Sequence, residues 1–172
     1  MIVFETERLQ IRTLDESDAP RMAEYRSKKE VKQYQSWNHF SQRDARKLIR
    51  MINKYPFRGE RYDMLQFGID IKGGIMIGDL HVTMMGRRAM MIGYTLDSLY
   101  WHHGYAREAV TGLIDYMVAH YPIRKVLAYV MTYNEPSKRL LRDLGFVKFD
   151  ESRFLREESY QKLIEEDMRN VE

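Results

Sequence analysis

The sequence predicts a mixed α/β domain: a mostly antiparallel central sheet with flanking helices. Three observations carry that prediction. Residues 64–71, 75–85 and 89–97 read as strands joined by turns too short for a crossover, so they pair as an antiparallel meander. A long amphipathic pattern then runs to Tyr121 and is followed by an apolar segment, 124–132. Strand, helix and strand in that order form a crossover, which lays the last strand parallel to the first. Two more amphipathic stretches, 17–27 and 41–55, precede the meander.

Each element has its own local signal. Residues 8–14 alternate, with Leu9, Ile11 and Thr13 on one side, as a strand does. Asp15-Glu16-Ser17-Asp18 supplies N-cap residue types and Pro20 suits a first turn, so a helix follows to Ser27 with Met22, Ala23 and Tyr25 toward the core. Residues 28–40 are polar and aromatic and include a loop. Ser41, with Asp44 three residues on, opens a second helix whose Ala45, Leu48, Ile49 and Ile52 share a face. Pro56 and Gly59 end it. Lys72-Gly73-Gly74 and Gly86-Arg87-Arg88 mark the turns of the meander.

The strongest stripe is Ala106, Ala109, Val110, Leu113, Ile114, Met117, Val118 and Tyr121, stopped by Pro122. Residues 124–132 are rich in Val, Leu, Tyr and Met and read as a strand buried on both faces. Asn134 caps a short helix carrying Leu140, Leu141 and Leu144, and Gly145 stops it. Residues 146–149 form a short strand. From Asp150 the chain is charged; Phe154, Leu155, Tyr160, Leu163 and Ile164 are its apolar anchors, and it reads as partly helical. With neither an internal repeat nor a low-complexity linker, residues 1–172 are expected to form one domain.

Composition bounds the function. A content of 44% hydrophobic and 31% charged residues suits a folded soluble protein rather than a disordered one. The chain has no Cys, which excludes a thiol nucleophile, a disulfide frame and a thiolate metal site. It has no membrane-length apolar run, and its first residues lack the basic and apolar order of a secretory signal, so a cytoplasmic location is expected and no membrane partner. The net charge is +3. Residues 151–172 hold seven acids and four bases, or −3, which leaves +6 on residues 1–150. A basic body attracts polyanions, but its bases are interspersed with acids and form no long run, so a polyanionic cofactor is expected rather than nucleic acid.

The chemistry centres on Tyr100-Trp101-His102-His103-Gly104-Tyr105-Ala106-Arg107-Glu108-Ala109, between a strand and a long helix. The first N–H groups of a helix lack internal partners and carry partial positive charge, a setting for phosphate. Gly104 allows close approach and Arg107 adds a cation. The same turn would also suit a plain strand-to-helix bend. His102 and His103 are adjacent, and His39, His81 and His120 show no ligand spacing, so no metal site is expected. Gly-x-Ser-x-Gly, P-loop and dinucleotide-fold glycine patterns are absent. A second polar cluster, Tyr133-Asn134-Glu135-Pro136-Ser137, ends the next strand. Parallel strands end at the same edge, so both helix starts face one cleft.

Four segments in order resemble one family, the GNAT N-acetyltransferases, and most closely its ribosomal-protein-alanine branch. Phe4-Glu5-Thr6-Glu7-Arg8-Leu9 with Ile11-Arg12 is similar to the N-terminal strand of that branch, and Ile92-Gly93-Tyr94-Thr95-Leu96 to its fourth strand. Residues 100–109 resemble its pyrophosphate loop, commonly Trp-Gly-x-Gly-Tyr-Ala-x-Glu-Ala. Asn134-Glu135-Pro136-Ser137 with Leu144-Gly145-Phe146 resembles its Asn-x-x-Ser…Leu-Gly-Phe signature. The likeness spans residues 2–149.

The resemblance implies acetyl-CoA as donor and a primary amine as acceptor, either a protein N-terminus or a small amine. It implies that the backbone at Thr95 and Leu96 bonds the pantetheine arm as an added strand would. The N–H groups of His102, His103, Gly104, Tyr105, Ala106 and Arg107 hold the pyrophosphate, and Asn134 bonds the arm. Ser137 protonates the leaving thiolate. Tyr34 and Trp37 line the acceptor pocket. Without Cys, direct transfer in a ternary complex is expected. Asp79, His81, Asp97 and Glu108 are the candidate bases, beside an ordered water path. A non-catalytic acyl-CoA-binding regulatory module is the alternative, and the protein is expected as a monomer or homodimer. Three departures stand out. His102 replaces the first loop glycine. Leu141 stands where many relatives place an acidic Tyr. The tail lacks a recognisable closing strand.

Overall fold

The computed structural model describes residues 1–165. Its eight strands are β1 (Ile2–Glu5), β2 (Leu9–Thr13), β3 (Met64–Ile71), β4 (Met76–Gly86), β5 (Ala89–Leu96), β6 (Lys125–Met131), β7 (Val147–Ser152) and β8 (Glu157–Leu163). They form one sheet in the order β1-β2-β3-β4-β5-β6-β8-β7. Every neighbouring pair is antiparallel except β5–β6. The helices are α1 (Ala19–Arg26), α2 (Lys29–Lys32), α3 (Gln42–Lys54), α4 (Tyr105–His120) and α5 (Glu135–Asp143). No described helix is long and apolar enough to cross a membrane.

The mixed, mostly antiparallel sheet with flanking helices is the predicted fold class. The capping logic also holds. Ser41 and Asp44 form a reciprocal capping box at α3, and Pro20 sits at the start of α1 behind a 3-10 turn, Glu16–Asp18. Residues 28–40 contain the short α2 within the expected loop.

Two cores flank the sheet. Leu80, Val82 and Met84 of β4 and Met90 and Ile92 of β5 pack with Val110, Leu113 and Met117 of α4. On the other face Met22 and Tyr25 of α1 pack with Ala45 and Ile49 of α3. Strand alternation divides the faces: Leu80 points to α4, while Asp79 meets Tyr25 and Arg26 of α1.

Two expectations fail. β6 is not buried on both faces. Val126, Ala128 and Val130 are buried, but Tyr129 between them is 38% exposed, because only one side of β6 carries a helix layer. The tail is not helical where it is described, since β7 and β8 form a hairpin and β8 is the closing strand the sequence seemed to lack. The charge of β8 hides its signal. Glu158 is buried yet accepts hydrogen bonds from Lys138 Nζ at 3.2 Å and from the Tyr160 hydroxyl at 2.7 Å. A strand paired on both edges tolerates a charged residue when its partners come with it. Residues 166–172, part of the same expectation, lie outside the described residues.

Candidate active site

The site forms where β5 and β6 part. The two strands pair only from Ala89↔Lys125 to Ile92↔Ala128, and beyond that point they diverge. Asp97 N–H donates to Ile77 of β4, so by alternation the backbone of Tyr94 and Leu96 points the other way, into the gap. A cavity of 80 Å³ lies there, lined among others by Tyr34, Gly93, Tyr94, Asn134, Ser137 and Leu141.

One wall of the gap is α5. The Asn134 side chain accepts from Ser137 N–H at 3.2 Å, which fixes the first turn. Ser137 Oγ lies 2.5 Å from the Tyr94 hydroxyl. Burial pushes the Tyr94 phenol up to about 12 against a smaller opposing effect of the Ser137 bond, so it keeps its proton at neutral pH. Tyr94 can therefore donate to Ser137 and free the serine proton for a third atom.

Beyond the cleft lies the loop into α4, tied to it through Trp101, whose indole N–H donates to the Leu96 carbonyl and whose ring meets Tyr34. Gly104 takes φ +80° and caps α4 without a side-chain hydrogen bond. Among the described residues, the N–H groups of His102, His103, Gly104, Tyr105, Ala106 and Arg107 donate to no protein acceptor. Six consecutive free donors at a helix start form a cradle for an anion. The His103 ring donates from Nδ1 to the Trp101 carbonyl at 2.6 Å and stacks on Tyr105.

His102 itself adopts φ +64°, a left-handed conformation that costs a non-glycine residue about 1–2 kcal/mol. His102→Gly is expected to raise the melting temperature by a few degrees, and a lower melting temperature would show that the ring makes a contact worth more than the strain.

The structure brings Tyr34, Asn134 and Ser137 to this cleft, sets Leu96 at the end of β5 above it, and places Gly104 and Arg107 of the loop in a separate groove along α4. The Leu96 carbonyl is engaged by the Trp101 indole N–H at 2.9 Å. Thr95 is not brought to the cleft. It pairs with Asp79, is 6% exposed, and its backbone turns to β4. Tyr94, one residue away, takes that place, and period-two alternation counted back from Asp97 is the signal that would have found it. Trp37 packs on the Arg26 guanidinium at 4.6 Å and on Phe40, inside the packing of α1 and α3. Tyr34 instead meets Trp101 and Tyr133 over the cleft, and Tyr133 Oη donates to the Gln33 carbonyl at 2.8 Å.

Three of the four candidate bases are consumed by ion pairs. Asp79 is bound by Arg26, Tyr25 and Gln66. For Asp97 burial opposes ionisation, but Lys28 and Arg21 outweigh it and hold the carboxyl below its usual range. Glu108 is likewise held low, burial being outweighed by hydrogen bonds from Thr6 and Arg8. His81 differs. Burial lowers its pKa, so the ring is neutral at neutral pH. It sits on the α1 face of β4, directly opposite Gly93, which has no side chain to cover it. Its Nδ1 is 2.9 Å from Gln66 Oε1 and its Nε2 is 2.8 Å from Thr83 Oγ1. Among the described residues no group of three or more acids or histidines could hold a metal ion.

A sequence profile of the acetyltransferase (GNAT) domain matches residues 8–147. The chain belongs to the GNAT acetyltransferase family. Within this family it is 34% identical over 147 residues to the uncharacterized N-acetyltransferase p20 of Bacillus licheniformis, covering 83% of this chain and 81% of that one. It is 28% identical over 149 residues to the ribosomal protein uS5 alanine N-acetyltransferase of Escherichia coli, covering 83% and 77%. A ribosomal L7/L12 alpha-N-protein acetyltransferase solved with coenzyme A has the same fold, with a TM-score of 0.82 at 20% identity over 95% of this chain and 98% of that one.

Proposed function

We propose that this GNAT protein transfers the acetyl group of acetyl-CoA to a primary amine, a protein N-terminal amine being the acceptor class, by direct transfer in a ternary complex. The observation that carries this reading is the run of six unpartnered N–H groups from His102 to Arg107, set beside a cleft that ends at Ser137. The cradle fits a diphosphate, and the backbone of Tyr94 and Leu96 fits an amide-bearing arm that pairs like a strand. The named acceptors of relatives, the alanine of ribosomal protein uS5 and the N-terminus of L7/L12, support the amine class.

The chemistry needs little from the protein. A thioester is already activated, so the main task is to bring a neutral amine to its carbonyl. The nitrogen lone pair forms the new C–N bond and the C–S bond breaks. His81 is the base on the acceptor side, and because its Nδ1 donates to Gln66 Oε1 it takes the amine proton at Nε2 by way of the Thr83 hydroxyl bonded there, which passes its own proton to the ring as it accepts the amine's. Ser137, with Tyr94 donating to it, gives a proton to the departing sulfur. Because the His81 pKa is lowered, it accepts protons at neutral pH and is lost as a base only as the pH falls below about 6.5, the unperturbed histidine value.

The test is a thermal-shift titration with CoA and acetyl-CoA, followed by thiol release from acetyl-CoA with peptides that begin in Ala or Ser. Both ligands are expected to raise the melting point, since ligands that bind only the native state stabilise it. Only acetyl-CoA with peptide is expected to release thiol, and His81→Gln is expected to slow release about 10–100-fold. Binding without release would favour a regulatory module, and full release by His81→Gln would remove it as the base.

A further inference from the structure

Arg8 sits in the turn between β1 and β2, about a hundred residues from α4, yet its polar atoms serve the α4 loop. Its backbone N–H donates to Glu108 Oε1 at 2.7 Å, its Nε to Glu108 Oε2 at 2.7 Å and its Nη1 to the His103 carbonyl at 2.8 Å. Its guanidinium lies 4.4 Å from the centre of the Tyr105 ring. Thr6 completes the arrangement, its hydroxyl donating to Glu108 Oε1 at 2.6 Å. These contacts hold residue 103 by its carbonyl, residue 105 by its ring and residue 108 by its carboxylate. Between the first two lies Gly104 with its left-handed turn. The hold on the His103 carbonyl fixes the orientation of the peptide that leads from His103 into Gly104.

Nη2 of Arg8 has no hydrogen-bond acceptor among the described residues and lies 3.4 Å from where a Cβ on Gly104 would stand. It therefore borders the surface that Gly104 leaves open. Arg107, the cation that the loop sequence offers, behaves otherwise. Its Nη2 donates to Asp143 Oδ2 of α5 at 2.6 Å, and its side chain is half exposed. One arginine is spent on joining α4 to α5, and the other lies along the cradle with one donor unspent. A groove of 680 Å³, lined among others by Thr6, Arg8, Gly104, Arg107 and Glu108, runs past this point and gives a phosphate oxygen access to it.

We propose that Arg8, rather than Arg107, is the positioning residue for the diphosphate of the acyl donor, through its hold on His103, Tyr105 and Glu108, and that its Nη2 supplies the cation of that site. This inference rests on the acetyl-CoA reading above. An arginine that both shapes a row of N–H donors and adds a charge-assisted hydrogen bond is worth about a tenfold to hundredfold factor in affinity.

The experiment measures the dissociation constants of CoA and of dephospho-CoA, which keeps the diphosphate but lacks the 3′-phosphate, by titration calorimetry. The proteins are wild type, Arg8→Ala, Arg8→Lys and Arg107→Ala. Arg8→Ala is expected to weaken both ligands by the same factor of about 10–100, and Arg8→Lys, which keeps the charge and loses the fork, by an intermediate factor. Arg107→Ala keeps the backbone N–H of the cradle and removes only the side chain paired with Asp143, so it is expected to change either constant by less than about threefold. Unchanged affinity in the Arg8 variants overturns the proposal, as does an equal loss in Arg107→Ala. A loss confined to CoA overturns it too, since Arg8 would then serve the 3′-phosphate. If Arg8→Ala does not fold, Arg8→Lys decides alone, and unchanged binding there is negative. Wild-type protein that binds neither ligand would refute the acetyl-CoA reading itself, a result distinct from the others.

Discussion

Gly104→Val is expected to weaken CoA binding by about a hundredfold while the sheet stays folded. Gly104 holds φ +80° at the start of α4, where an L-residue costs about 1–2 kcal/mol and a β-branched one more. A Cβ there stands 3.4 Å from Arg8 Nη2, so a larger side chain must also displace Arg8. The chain can escape the strain by turning the 103–105 peptides, but that turns away the N–H groups that face the anion. Losing one or two charge-assisted hydrogen bonds at about 1.5–3 kcal/mol each gives the stated factor. The change lies in an exposed loop, outside both cores, so circular dichroism should change little and the ligand-free melting point should fall by only a few degrees. Calorimetry with CoA reads the rest, and an unchanged dissociation constant would remove this loop as the diphosphate site.

Ser137→Ala is expected to lower turnover about 10–100-fold and to leave the KM for acetyl-CoA within about twofold. The cap of α5 survives, because Asn134 accepts from the Ser137 backbone N–H and not from its hydroxyl. What is lost is the hydroxyl 2.5 Å from Tyr94 Oη. A buried phenol left without a partner costs about 1–3 kcal/mol, so Ser137→Ala should also melt earlier. Adding Tyr94→Phe should restore the melting point without restoring turnover, which separates the chemical from the structural contribution of the pair. Full turnover in Ser137→Ala would move the proton donor elsewhere.

The local signals in the sequence are strong where a side chain acts on its own backbone. The Ser41–Asp44 capping box, the Asn134 cap, the glycine turn at Gly104 that opens α4 and the stop at Gly145 were legible because each is decided within a few residues. The meander and the crossover followed from short turns and one long stripe. Long-range pairing was not legible. β8 reads unlike a strand because Glu158 gains its partner Lys138 only once α5 is beside it. Asp79, Asp97 and Glu108 looked like free bases for the same reason, since Arg26, Arg21, Lys28 and Arg8 lie about 50–100 residues away from them in the chain. The sequence does not separate Tyr94 from Thr95, because a strand without its neighbour does not say which edge faces a gap.

The position of β8 carries a consequence for how the chain assembles. β7 is made before β8 but lies outside it, so the edge of β6 stays open until Leu163 meets Lys125. β8 closes that edge, and β7 pairs only with the far edge of β8. Until then the nascent chain carries an unpaired apolar strand containing Val126, Ala128 and Val130, an invitation to pair with a neighbouring chain. The charges of β8, with Glu157 and Glu158 at one end and Lys162 at the other, make the late strand soluble while it waits and suit it poorly to any partner that lacks Lys138.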